Sequence, residues 1–83
     1  MENQDLWFVV DDGFIIVSSS YCDPGYYLVE LFDLGGALII SERILHQGGT
    51  MHQKVYSTNG KKGIVIGRVT TPIGMQYANK VSF

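Results

Sequence analysis

Punctuation is what most constrains this chain. Short runs of β-branched and aromatic residues are cut by Gly, Asp, Asn and Pro at intervals of about ten residues, the sign of a small antiparallel sandwich or barrel. Leu6 to Val10 reads as a first strand, and Asp11-Asp12-Gly13 as a hairpin turn in which glycine takes positive φ. Phe14 to Ser19 follows as a second strand, apolar on both faces at its start. A loop through Tyr21-Cys22-Asp23-Pro24-Gly25 carries the Pro-Gly pair of a type II turn.

Tyr26 to Asp33 reads as a third strand. Tyr26, Leu28 and Phe32 fall on one of its faces and Tyr27, Val29 and Leu31 on the other, which predicts cover on both. Gly35-Gly36 turns the chain into Ala37 to Ser41. Met51 to Ser57 is a further strand, and Asn59-Gly60 is the strongest short-range hairpin signal present. Ile64 to Thr70, a turn at Thr71-Pro72-Ile73-Gly74, and Met75 to Phe83 complete the series. In the last strand Met75, Tyr77, Val81 and Phe83 share a face, and Asn79 interrupts the row.

Ser41 to Gln47 admits two readings. Leu38, Ile40 and Ile44 fit a strand with Glu42 between them. Equally, Ser41 fits the cap of a short helix over Glu42 to His46, stopped by Gly48-Gly49. The expected fold is all-β: a small antiparallel barrel or sandwich of six to seven strands, with one short helix near residues 42–47 as the alternative.

Eighty-three residues make one domain, 1–83, because a second core would not fit. The apolar fraction of 46% suits a folded chain, and no apolar run approaches the roughly 20 residues that span a bilayer. Small domains supplement their cores with disulfides, metals or self-association. Cys22 is the only cysteine, so no internal disulfide forms, and a reducing compartment fits better than a secreted one. Cys22, His46 and His52 lack the paired spacing of a zinc site. Self-association follows by elimination, and a homo-oligomer is expected. The acidic start, Met1-Glu2-Asn3-Gln4-Asp5, is unlike a secretory leader, so the expected location is cytoplasmic.

Charge is sorted along the chain. All eight acids lie in the first 42 residues and all six bases, Arg43, Lys54, Lys61, Lys62, Arg68 and Lys80, lie after them. Three arrangements satisfy this order. The halves pair within the fold, or opposite faces carry opposite charge and join protomers, or the basic half forms an anion site.

Two segments are candidate contact sites. His46-Gln47-Gly48-Gly49-Thr50-Met51-His52 offers glycines that let an anion approach backbone N–H groups, with histidines flanking. With Arg43, Lys54 and Arg68 it makes an anion set of Arg43, His46, Gly48, Gly49, Thr50, His52, Lys54 and Arg68. Against this stands an ordinary loop whose glycines supply positive φ. Tyr21, Tyr26 and Tyr27 cluster around the Pro-Gly loop and form a protein-contact candidate, since amphipathic tyrosines are enriched at interfaces. They also suit the end of a core.

Gly60-Lys61-Lys62-Gly63 has the GxxG spacing of a nucleic-acid backbone clamp. That clamp joins helices, whereas Ile64-Val65-Ile66 is β-forming, so the segment reads as a hairpin tip. No phosphate-loop or dinucleotide motif occurs, Ser18-Ser19-Ser20 has no nucleophile elbow, and Asp11-Asp12 lies in a turn. No catalytic, metal or cofactor assignment results.

The function expected is non-enzymatic binding of a protein target, in the manner of a phage or mobile-element inhibitor of a host factor. The alternative is a homo-oligomeric binder that sequesters a small phosphate-bearing, nucleotide-like ligand. A net charge of −2 weighs against nucleic acid, and no membrane contact is expected.

Overall fold

The computed structural model describes residues 6–83. Among them seven antiparallel strands form: β1 (Trp7–Asp11), β2 (Phe14–Cys22), β3 (Gly25–Phe32), β4 (Leu38–His46), β5 (Gly49–Ser57), β6 (Ile64–Thr70) and β7 (Gln76–Ser82). They make a three-stranded sheet, β1-β2-β5, and a four-stranded sheet, β4-β3-β6-β7. The two sheets pack as a sandwich. β1 and β7 touch without pairing, so no barrel closes.

One long hairpin, folded over, builds most of this. Phe14 pairs with Ser57 and Cys22 with Gly49 in one sheet; Gly25 pairs with His46 and Phe32 with Leu38 in the other. The ladder therefore runs through both sheets and bends only where Asp23-Pro24 and Gln47-Gly48 cross between them. The bend rests on glycine. Gly48 and Gly49 have φ of 101° and 92°, and a Cβ on Gly48 would come within 3.4 Å of the Pro24 ring. Across the corner Gly25, at φ 137°, lies so close to Pro72 that a Cβ would approach its ring to 2.6 Å. Strands that switch sheets need such bends.

The core lies between the sheets. Ile15, Val17 and Met51 face it from one side, and Tyr27, Val29, Leu31, Val65, Val69 and Val81 from the other, with Phe8 of β1 lying over Gly67 of β6. Each large aliphatic side chain buried this way stabilises the fold by about 1.5–3 kcal/mol.

Several expectations need correction. The alternative helix near residues 42–47 does not form, because Glu42 to His46 pair with β3. Ile40 and Ile44 pack against the core while Glu42 between them stays exposed. A four-residue spacing of apolar residues suits either period, and pairing with β3 selected the strand. Tyr21 and Cys22 extend β2 and Gly25 opens β3, so the Pro-Gly loop is shorter than expected. Asn59 and Gly60 do form a tight turn, with φ of 52° and 74° and a 2.9 Å bond from Lys61 N–H to the Thr58 carbonyl. The strands on either side belong to different sheets, however, so this is a crossing and no hairpin. Its anchor is Thr58, whose N–H and Oγ1 both donate to the Gly13 carbonyl at 2.9 and 3.1 Å. The turn at 71–74 closes the β6–β7 hairpin as expected.

Candidate functional site

The residues of the proposed anion set divide among three places. Arg43 and Arg68 lie on the outer side of the four-stranded sheet, where they flank β3. Thr50, His52 and Lys54 lie on β5 in the other sheet and are exposed. His46, Gly48 and Gly49 form the corner. His46 is occupied there: its Nε2 lies 3.1 Å from the Gly49 carbonyl oxygen, and its ring meets Tyr27 edge-on at 5.9 Å. In the tautomer with hydrogen on Nε2, that contact ties β4 to β5 across the bend. Lys54 sets its ammonium 4.4 Å above the Phe14 ring.

The three tyrosines also separate. Tyr27 is fully buried, and its hydroxyl donates to the Asp23 carbonyl at 2.6 Å. Burial, with the Cys22 thiol and the Asp23 carboxylate nearby, holds its phenol well above the ordinary range. Tyr21 and Tyr26 are exposed, Tyr26 at 58%.

Tyr26 belongs to a larger surface. β3 runs second from the edge, and the pleat sends Tyr26, Leu28, Glu30 and Phe32 outward. Their partners are Leu45, Arg43, Ser41 and Leu38 on β4, and Thr70, Arg68 and Ile66 on β6. Leu45, Leu38 and Ile64 are exposed large apolar side chains. At the centre Arg68 donates from Nε and Nη2 to Glu30 Oε1 at 3.1 and 2.8 Å, and its guanidinium lies 5.0 Å from the Phe32 ring. Arg43 is placed 5.8 Å from the Tyr26 ring. Two shallow depressions flank the central pair. One, of about 410 Å³, is lined by Tyr26, Leu28, Arg43, Thr70 and Pro72. The other, of about 330 Å³, is lined by Phe32, Leu34, Ile66, Arg68 and Ala78.

This face was half legible in the sequence. The alternation placed Tyr26, Leu28 and Phe32 together, but it predicted that they would be covered. Nothing among the described residues covers them fully: Tyr26 is exposed, and Leu28 and Phe32 are half-buried.

A scan against protein-family models found no match, and searches of curated proteins and of solved structures returned none either, so the chain's own geometry carries the functional argument.

Proposed function

We propose that this protein is a non-enzymatic binding module that engages a protein partner through the outer face of its four-stranded sheet. One observation carries the reading. That face combines exposed tyrosine and leucine with two arginines laid over aromatic rings, beside two depressions. Aromatic residues and arginine are the types that dominate interface energetics, and exposed large apolar side chains beside them fit a contact surface. Occupying a partner's own working surface would make the protein an inhibitor, the role expected of a phage or mobile-element protein acting on a host factor.

Affinity capture from cells of the source organism tests this. The wild type and a His52→Ala control on the opposite sheet should recover the same protein in stoichiometric amount. A Tyr26→Ser/Leu45→Ser variant, checked for an unchanged melting temperature, should lose it. Equal capture by that variant, or saturable calorimetric heat with a panel of nucleotides, would overturn the reading.

A further inference from the structure

The described strands leave four sheet edges. β1 and β7 lie against each other, whereas β4 and β5 are two arms of one bent, open edge. Open edges invite a further strand, and native proteins guard them with polar groups and bulges. The β5 arm has both: exposed Thr50, His52, Gln53 and Lys54, and a register shift opposite Ile15 and Ile16. The β4 arm differs. Its outer side carries exposed Leu38 and Leu45, with Arg43 between them, and its core side shows exposed Glu42.

Resting on the reading of that face as a protein-binding surface, we propose that the β4 edge takes an extended segment of a partner protein by antiparallel strand addition. The segment carries an acid opposite Arg43, a base at the next position opposite Glu42, and an apolar residue opposite Leu45. Charge supplies the pattern. Arg43 makes no ion pair among the described residues; it faces Leu28 across the strand, and the nearby carboxylate of Glu30 is bound to Arg68. Glu42 likewise has no cation within ion-pair distance among the described residues.

A second copy fits this stretch less well. In an antiparallel pair, opposed residues point to the same side. A two-fold pairing centred on the charged stretch therefore sets Glu42 against Glu42 or Arg43 against Arg43. A partner with acid followed by base matches both charges at once. Main-chain bonds along β4 then supply affinity and the alternating side chains supply selectivity. Nine residues of strand offer roughly 30 Å of edge.

The test uses the wild-type protein and two capped peptides of identical composition. One is Val-Thr-Glu-Lys-Thr-Val-Thr-Val; in the other the Glu and Lys are exchanged. The first should bind about fivefold tighter or more, by amide shifts that map to Leu38–His46. A Glu42→Lys/Arg43→Glu protein should invert the preference, and N-methylation along the peptide's pairing edge should abolish binding. Equal affinities, an uninverted preference, shifts confined to β7 or the three-stranded sheet, or no binding at millimolar peptide would each overturn the proposal. A dimer of the protein with protected β4 amides would overturn it in favour of a second copy. If Tyr26 and Leu45 still govern partner capture while the peptides bind alike, strand addition fails and the face remains the binding surface. Tyr26-dependent retention on immobilised oligouridylate would overturn both.

Discussion

Gly67 shows how much one residue can govern in a core this small. It points inward from β6 between Val65 and Val69, and the ring of Phe8 fills the place of its absent side chain. A Cβ there would lie 2.5 Å from Phe8 Cε2. Gly67→Ala should therefore destabilise the fold by about 1–3 kcal/mol in urea titrations, as overpacking does. Adding Phe8→Leu should recover part of that loss; a double variant no better than the sum of its singles would show that the ring is not the obstacle. Tyr27 is a second such position. Tyr27→Phe should cost about 1 kcal/mol, because the part-buried Asp23 carbonyl loses its phenol donor. The raised phenol also has a pH signature. Its contribution is complete below the ordinary tyrosine pKa of about 10 and is lost as pH climbs beyond it, since the unfolded chain ionises first. Urea midpoints from pH 9 to 11 should fall more steeply for the wild type than for Tyr27→Phe. Neither role was legible in the sequence: Gly67 read as one residue of a strand, and Tyr27 as one of three similar tyrosines.

At the scale of elements, strands were legible where apolar runs were short and turn residues sharp. β6 and β7 needed only the alternation around Thr71-Pro72-Ile73-Gly74. β4 was ambiguous because Ile40 and Ile44 satisfy both periods, and pairing with β3 (Val29 opposite Glu42, with Val69 behind it) settled the matter. Glu42 has its own part in that strand. It sits at a core-side position on an open edge, the placement that discourages edge-to-edge association. Glu42→Val should shift sedimentation to larger species at concentrations where the wild type is unchanged. A variant that sediments like the wild type would remove this role from Glu42. The corner tells a similar story. Gly48-Gly49 was read as a loop open to an anion, and in the fold its positive φ values serve a bend closed by His46 and Pro24.

The whole molecule answers the question that the sorted charges raised. Asp12 sits in the β1–β2 turn beside Asp11 at the end of β1, Asp23 at the corner and Asp33 at the β3–β4 turn, with Glu30 and Glu42 in strands. Arg43, Lys54, Arg68 and Lys80 lie within strands, and Lys61 and Lys62 on the crossing from β5 to β6. Glu2 and Asp5 fall outside the described residues. Among the described residues one ion pair joins the acidic and basic halves, Glu30 with Arg68, and the Arg68 side chain is 37% exposed. Such a pair is worth about 0–1 kcal/mol and is screened by salt. Stability should accordingly change by less than about 1 kcal/mol between 0.05 and 0.5 M sodium chloride. A larger loss would mean that the halves attract each other through more than this pair.

The sequence by itself determined that the chain is all-β, and it placed most of the strands and turns. Those properties follow from local sterics: β-branched runs favour extended backbone, and Gly, Asn and Asp accept the φ values that turns demand. Tertiary structure alone decided which strands became neighbours. Asn59-Gly60 could specify a tight turn without specifying that its flanking strands part company, because sheet membership depends on partners distant in sequence. The same holds for the contact surface. Alternation put Tyr26, Leu28 and Phe32 on one side of a strand, and only the arrangement of the sheets left that side facing outward, with Arg43 and Arg68 beside it.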